Sequence, residues 1–140
     1  MSQENVEIVR RMNDAFNRRD FEELFQALDP DVEWVPILAV LEGRVYRGHA
    51  GVREWIERLS EDWDVFEANQ EEFRLVGDRV LVLGHWHARA RGSGIELGTQ
   101  PASWVVDVQD GKVARLQTYT DRKEALEAVG LSEQDTHADS

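Results

Sequence analysis

The sequence predicts a single α+β domain in which three N-terminal helices cover one face of a curved antiparallel sheet. Apolar residues recur at helical spacing through roughly the first 60 residues, and from Trp63 onward they alternate with polar residues at the period of a strand. Short turn sequences, of which Gly77-Asp78 and Asp110-Gly111 are the clearest, divide this second part into four long strands. A strongly curved sheet that is closed by helices leaves a cavity between the two layers.

Three helices are predicted before the long strands, from apolar spacing over residues 2–19, 21–28 and 52–59. A short strand is predicted at residues 32–36, after the second helix. Residues 37–48, which lead into the third helix, are predicted to be irregular because they show neither period and end at a glycine.

The long strands are predicted at residues 64–76, 79–91, 95–108 and 112–120. Gly98 and Pro101 interrupt the third of them and predict a β-bulge. Asp20 and Asp121 are each followed three residues later by glutamate, which is the pattern of a capping box. They are therefore predicted to be the N-caps of the second helix and of a short C-terminal helix.

Composition restricts the classes of function. A chain of 140 residues is the size of one domain, predicted at residues 1–131 with a disordered acidic tail at 132–140. The absence of cysteine excludes thiol chemistry, disulfides and cysteine-based zinc sites. A formal net charge of −12 argues against nucleic acid and membrane surfaces as partners. No apolar run has the length of a membrane span and no export signal is recognised, so we expect a cytoplasmic protein.

Three stretches of the chain resemble a known family. They are AFNRRDFEELFQALDPDVEW (residues 15–34), GHAGVREWIERL (48–59) and DGKVARLQTYTDRKEALEAVGL (110–131). Together they are similar to the SnoaL-like branch of the NTF2-like superfamily, and the resemblance extends over about residues 4–131. It implies a cone-shaped sheet around a pocket and a homodimer formed through the sheet. It does not imply a reaction, because the superfamily includes isomerases, cyclases, dehydratases, hydrolases and non-catalytic binders.

Residue-level comparison within the superfamily points to particular positions. Ketosteroid isomerases carry a general-base aspartate on the first strand, and Trp34 stands at the similar position here, so that base is absent. Epoxide hydrolases of this fold use an Arg-x-Asp pair on the strand after the hairpin turn, and the matching positions are His85 and His87. Their second aspartate falls at Thr118. The resemblance therefore predicts a titratable histidine pair in the pocket rather than the known catalytic sets.

His85 and His87 are two residues apart on a predicted strand, so their side chains share one face. On the cavity face the pair can act as general acid and base near neutral pH. Alternation equally allows the outer face, with Trp86 and Ala88 pointing inward. A metal site is not predicted, because the next acidic residue, Glu96, lies beyond a Gly-Ser-Gly turn and zinc needs three or four ligands.

Tryptophans supply most of the remaining candidate residues. Most buried aromatic side chains simply form the core, but several around one cavity suit a flat or apolar ligand. No dinucleotide, phosphate-loop or nucleophile-elbow motif is present, so no cofactor is expected. The candidate ligand-binding residues are Trp34, Tyr46, Trp55, Trp104 and Thr118.

The function predicted from the sequence is binding of a small apolar or aromatic molecule in a mostly apolar pocket. If the protein is an enzyme, His85 and His87 are the predicted catalytic pair of a cofactor-free isomerase, cyclase, dehydratase or hydrolase. The alternative is a non-catalytic ligand binder or a dimeric interaction module. Alternating Arg115, Gln117 and Tyr119 suit a half-polar contact between the sheets of two subunits.

Overall fold

The computed structural model describes residues 2–131 and contains one curved, six-stranded sheet with helices. Its elements are, in chain order, α1 (Ser2–Arg18), α2 (Phe21–Gln26), β1 (Leu28–Val35), α3 (Ile37–Glu42), β2 (Tyr46–Arg47), α4 (Gly48–Asp62), β3 (Trp63–Val76), β4 (Arg79–Ala90), β5 (Glu96–Gln109), β6 (Lys112–Tyr119) and α5 (Arg122–Ala128). The strand order is β2-β1-β6-β5-β4-β3, with β1 and β6 parallel and the other neighbours antiparallel. The predicted α+β class is confirmed. The predicted tail at 132–140 lies outside the described residues.

The core lies between the sheet and the helices α1 and α4. These helices bury side chains at helical spacing, among them Val9 and Phe16 of α1 and Val52 and Trp55 of α4. Full burial of an apolar side chain of this size contributes about 1.5–3 kcal/mol, so this face holds the helices on the sheet. Within residues 2–131, none of the helices combines the length and the apolar character needed to cross a membrane.

The second helix is shorter than predicted. It ends at Gln26, and Leu28 belongs to β1, where it is buried and pairs with Val113 of β6. The carbonyl oxygen of Ala27 accepts a hydrogen bond of 2.8 Å from the Val113 backbone N–H. Parallel pairing with a distant strand therefore overrides the local helical spacing, which a sequence window does not reveal.

The segment predicted to be irregular, residues 37–48, contains the short helix α3 and the strand β2. Gly43 closes α3 in the left-handed conformation, at φ 68°. The next helix begins at Gly48 rather than after Gly51. A Cβ at Gly51 would lie 3.1 Å from the backbone carbonyl carbon of Tyr46, so this glycine permits a close approach and does not mark a turn.

Several register shifts interrupt the sheet, and two of them lie at or opposite a glycine. The predicted bulge at Gly98 is confirmed by one extra β5 residue opposite β4. A second bulge, which was not predicted, lies between Gln70 and Glu72 of β3. It brings the Asn69 carbonyl oxygen within 2.0 Å of the position that a Cβ would occupy at Gly84 on β4. Only glycine fits at that point.

Side chains of α1 and of the residue that follows it cover the open edge of β3. The Asn17 amide donates to the Ala68 carbonyl oxygen at 2.8 Å and accepts from the Ala68 N–H at 3.2 Å. The Arg19 guanidinium donates to the Phe66 carbonyl oxygen at 3.1 Å. These bonds satisfy backbone groups that an edge strand otherwise leaves open, and they fix α1 beside the cavity described below.

The two predicted N-caps are confirmed. The Asp20 carboxylate accepts from the Glu23 backbone N–H at 3.2 Å, and the Asp121 carboxylate accepts from the Lys123 N–H at 2.9 Å. The helix that Asp121 caps, α5, packs on the opposite face of the sheet from α1 and α4. There Leu126 joins a second, smaller apolar cluster with residues of β4 and β5.

Candidate ligand cavity

A cavity of about 50 Å³ lies between α1, α4 and the inner face of the sheet. Most of its lining is aromatic or aliphatic, and Asn13, Gln70 and Thr118 are its polar members. Among the described residues that line it, none carries an ionisable side chain. Six aromatic rings contribute to the wall: Phe16, Trp34, Trp55, Phe66, Trp86 and Trp104.

Five of these rings form a continuous chain of contacts. The centroids of Trp34 and Trp55 are 5.5 Å apart, and Phe16 stacks on Trp55 at 5.2 Å. Phe16 meets Phe66 edge-on at 6.4 Å, and Phe66 stacks on Trp86 at 5.4 Å. These separations fall in the favourable range for aromatic pairs, so the wall is held by its own packing.

Four buried polar atoms on this wall have no hydrogen-bond partner within residues 2–131. They are Trp34 Nε1, Trp55 Nε1, Gln70 Oε1 and Thr118 Oγ1. Nearly all buried polar groups in proteins are paired, and each unpaired group costs about 1–3 kcal/mol. All four atoms belong to residues that line the same cavity.

The register of β1, β5 and β6 places the strand residues of this wall on one face of the sheet. Trp34 on β1 pairs with Leu116 on β6, and Thr118 is two residues further along the same strand. Thr118 in turn pairs with Trp104 on β5. Because side chains alternate along a strand, all four of these residues face the cavity. Gln70 reaches it from β3, at the bulge described above.

Four of the five predicted ligand-binding residues, Trp34, Trp55, Trp104 and Thr118, line the cavity, whereas Tyr46 does not. The Tyr46 hydroxyl instead accepts a hydrogen bond of 3.0 Å from the Arg58 guanidinium, and Arg44 lies over its ring. The expectation that Tyr46 reaches the cavity is therefore wrong.

Gln70 was not among the site residues predicted from the sequence. Phe66, Ala68 and Gln70 are spaced two residues apart along β3, and all three line the cavity. This spacing was the sequence signal that could have identified Gln70.

The expectation that His85 and His87 face the cavity is also wrong. Trp86 lines the cavity, and the two histidines on either side of it point to the outer face of the sheet. There His85 Nδ1 lies 3.0 Å from a Glu71 carboxylate oxygen, and His87 Nε2 lies 2.9 Å from one of Glu67. Strand β4 stays regular through this stretch, because the bulges lie in its neighbours, so the inward position of Trp86 determines where both histidines point.

No cluster suited to a metal ion occurs among the described residues. Within residues 2–131 there is no group of three or more His, Asp or Glu side chains arranged to hold one. On the outer face each histidine contacts one glutamate, and His87 Nδ1 also lies 3.3 Å from the Asn69 amide nitrogen.

The sequence profile of the SnoaL-like domain matches residues 9–116 of this chain. The chain belongs to the SnoaL-like family. Among proteins with curated descriptions, no sequence matches it.

Several solved structures resemble this SnoaL-like domain. An NTF2-like protein of unknown function from Burkholderia pseudomallei is 26% identical, with a TM-score of 0.74 over 91% of this chain and 98% of that one. TerC, co-crystallised with polyporic acid, is 27% identical, with a TM-score of 0.74 over 90% and 98%. A putative polyketide cyclase from Xanthomonas campestris is 21% identical, with a TM-score of 0.74 over 92% and 98%. At 21% identity, the cyclase structure supports only the assignment of the fold.

Arg19 places one positive charge beside the aromatic wall of this SnoaL-like domain. Its guanidinium carbon lies 4.9 Å from the Phe16 ring centroid and the group donates to the Phe66 carbonyl oxygen. Partial burial lowers the pKa of the Arg19 guanidinium, and the carboxylate of Glu67 opposes that shift. Arginine nevertheless stays charged across the ordinary pH range.

Replacing both His85 and His87 by alanine is expected to leave ligand affinity unchanged, because neither side chain lines the cavity. The free energy of unfolding should fall by less than about 2 kcal/mol, since even a charged pair at the surface contributes only about 0.2–1 kcal/mol. Titration of a cavity ligand and urea denaturation measure the two effects. A tenfold loss of affinity would place the pair at the ligand after all.

Proposed function

We propose that this SnoaL-like domain binds a small neutral organic molecule in the cavity, without acid–base catalysis by the residues that line it. The four unpaired polar atoms carry the proposal. The indole N–H groups of Trp34 and Trp55 are donors for a ligand oxygen. The amide oxygen of Gln70 and the hydroxyl of Thr118 accept a hydrogen bond from a ligand hydroxyl.

The lining argues for a neutral ligand. Moving an ion into an apolar site costs several kcal/mol unless an opposite charge meets it, and the described lining offers none. A pure hydrocarbon fits no better, because it leaves the four polar atoms unpaired. A molecule with an apolar body and a hydroxyl group, such as a phenol or a hydroxyketone, satisfies both requirements, whereas a simple ketone or lactone leaves the acceptor Gln70 Oε1 unpaired.

Cavity size adds a further requirement. A cavity of about 150 Å³ is known to take benzene, and this one measures about 50 Å³, so a ligand of more than a few heavy atoms displaces lining side chains. We expect helix α3 to move, because Pro36 and Ile37 at its start line the cavity and no side chain caps it. The co-crystallisation of TerC, a similar structure, with polyporic acid supports an organic ligand in this fold.

The same lining favours the non-catalytic alternative over an acid–base enzyme. General acid–base catalysis needs a titratable group within hydrogen-bonding reach of the proton that moves. The described cavity lining contains tryptophan, amide and hydroxyl groups and no carboxylate or imidazole. Binding, rather than isomerisation or dehydration, is therefore the function that these residues support best.

Homodimer formation through the outer sheet face and a cytoplasmic location stay predictions. In the single chain, Arg115 is exposed and Gln117 and Tyr119 are half-buried, which suits a polar contact between sheets. A mass of 16.1 kDa by light scattering at micromolar concentration would contradict the dimer.

A matched set of probes tests the proposed function. Cyclohexanone, cyclohexylammonium and methylcyclohexane present similar ring bodies with a neutral acceptor, a cation and no polar atom. Only cyclohexanone is expected to quench or shift tryptophan fluorescence saturably, because only it pairs with the indole N–H groups without desolvating a charge. Tighter binding of the cation would contradict a neutral ligand, and equal binding of the hydrocarbon would contradict a role for the polar atoms.

Thr118→Val is expected to stabilise the free protein by about 1 kcal/mol and to weaken ligand binding. Valine has nearly the shape of threonine, and it removes a hydroxyl that is 1% exposed and unpaired. Urea denaturation and ligand titration provide the two measurements. Thr120→Val, at an exposed position directly after β6, is the control and should change neither. Destabilisation by Thr118→Val would mean that the hydroxyl is paired in the folded protein.

A further inference from the structure

A second concave surface lies outside the cavity, where α2 and α4 meet the first residues of β1 and β6. This α2–α4 groove has a volume of about 540 Å³ and shares no lining residue with the cavity. Phe21, Phe25, Leu28 and Pro30 form its apolar wall. Its volume lies within the roughly 300–1,000 Å³ typical of small-molecule sites.

Two cations line the α2–α4 groove, and the fold holds both in place. The Arg53 guanidinium carbon lies 4.5 Å from the centroid of the Phe25 ring. The Lys112 ammonium donates to the Gln26 carbonyl oxygen at 2.8 Å. Both cations thus line the groove and contact adjacent residues of α2, Phe25 and Gln26.

Neither cation has a carboxylate partner. Within the described residues no carboxylate oxygen lies within 4.0 Å of Arg53 or Lys112, whereas ten other arginines of the chain have one. In a chain with 28 acidic and 16 basic residues, two unpaired cations at one groove form a local positive site. Charge complementarity therefore points to an anion.

The rest of the lining restricts which anion fits. Glu22 also lines the groove and opposes a second negative charge. The His49 ring packs 5.2 Å from Phe25, with Nε2 held 3.0 Å from the Leu28 carbonyl oxygen, and extends the aromatic wall. The site thus combines a flat apolar wall with room for one negative charge.

We propose that the α2–α4 groove binds a small monoanionic carboxylate with an aromatic body. The carboxylate lies between Arg53 and Lys112, where the guanidinium offers two parallel N–H donors. The aromatic body packs on Phe21 and Phe25. This site is independent of the cavity, whose lining favours a neutral molecule.

Benzoate titration, followed through backbone amide shifts of the full chain by NMR, tests the proposal. We expect saturable shifts confined to α2, the first turns of α4 and Lys112. Arg53→Gln and Lys112→Met should each weaken binding at least about fivefold, the loss of roughly 1 kcal/mol of charge-assisted bonding. Arg122→Gln and Lys123→Met remove the same charges from exposed positions of α5 and should leave binding within about twofold.

Several results would overturn the proposal. No saturation at about 10 mM benzoate, or equal binding by all four variants, would mean that the groove is not the site. Benzamide binding as tightly as benzoate would remove the requirement for an anion, and tighter binding of phenyl phosphate would contradict the preference for a single charge. Unchanged thermal midpoints of Arg53→Gln and Lys112→Met are the check that these variants fold.

Discussion

Gly84→Ala is expected to lower the free energy of unfolding by about 3 kcal/mol, the upper end of the range for overpacking. The new Cβ would lie 2.0 Å from the Asn69 carbonyl oxygen and 3.2 Å from the Gln70 Cα. Both neighbours are backbone atoms, so no side-chain rotation relieves the clash and β3 itself must move. In a domain of this size the thermal midpoint should fall by roughly 10 °C.

Gly98→Ala is the matched control for Gly84→Ala. Gly98 also stands at a bulge, its φ is not positive, and nothing lies within 4 Å of its added Cβ. The free energy of unfolding of Gly98→Ala should differ from that of the parent by less than about 1 kcal/mol. Equal stabilities of the two variants would mean that β3 and β4 are not in close contact at Gly84. Because the clash displaces the strand that carries Gln70, Gly84→Ala should also weaken ligand binding.

The double variant Trp34→Phe/Trp55→Phe is expected to weaken binding of a neutral oxygen-bearing ligand by about 10- to 100-fold. Each substitution keeps an aromatic ring in the wall and removes one N–H donor, and a neutral hydrogen bond contributes about 0.5–1.5 kcal/mol. Both indole nitrogens are buried without a partner in the described residues, so no existing bond is lost. Isothermal titration with the best neutral probe measures the change.

Trp63→Phe is the control for the tryptophan pair, because Trp63 contacts Phe66 but does not line the cavity. It removes the same ring area and N–H as one of the two cavity substitutions, so affinity should stay within about twofold of the parent value. If the double variant and Trp63→Phe bind equally well, the indole N–H groups do not contact the ligand.

Local sequence patterns predicted the helices and long strands because burial imposes a period on each of them. They did not predict α3, whose residues include no polar face, or the early end of α2, which depends on the pairing of Leu28 with Val113. The bulge at Gly98 could be predicted because the glycine lies in the bulged strand itself. The bulge after Gln70 requires a glycine on the neighbouring strand, Gly84. The sequence around Gln70 therefore does not reveal it.

The candidate site could be predicted only in part, for a similar reason. Alternation establishes that His85 and His87 share a face opposite to Trp86, but it does not determine which face is buried. That choice depends on the contacts of Trp86 with Phe66 and the rest of the aromatic wall. The unpaired state of Trp34 and Thr118 is likewise a property of the whole cavity and has no local signature.

The most direct measurement is a crystal structure of the full chain with the best-binding neutral probe. We predict that the probe occupies the cavity with an oxygen atom within about 3.2 Å of the Nε1 atom of Trp34 or Trp55. We also predict that Gln70 or Thr118 contacts the ligand where it carries a hydroxyl. A probe bound outside the cavity, or inside it with both indole N–H groups still unpaired, would contradict the proposed function.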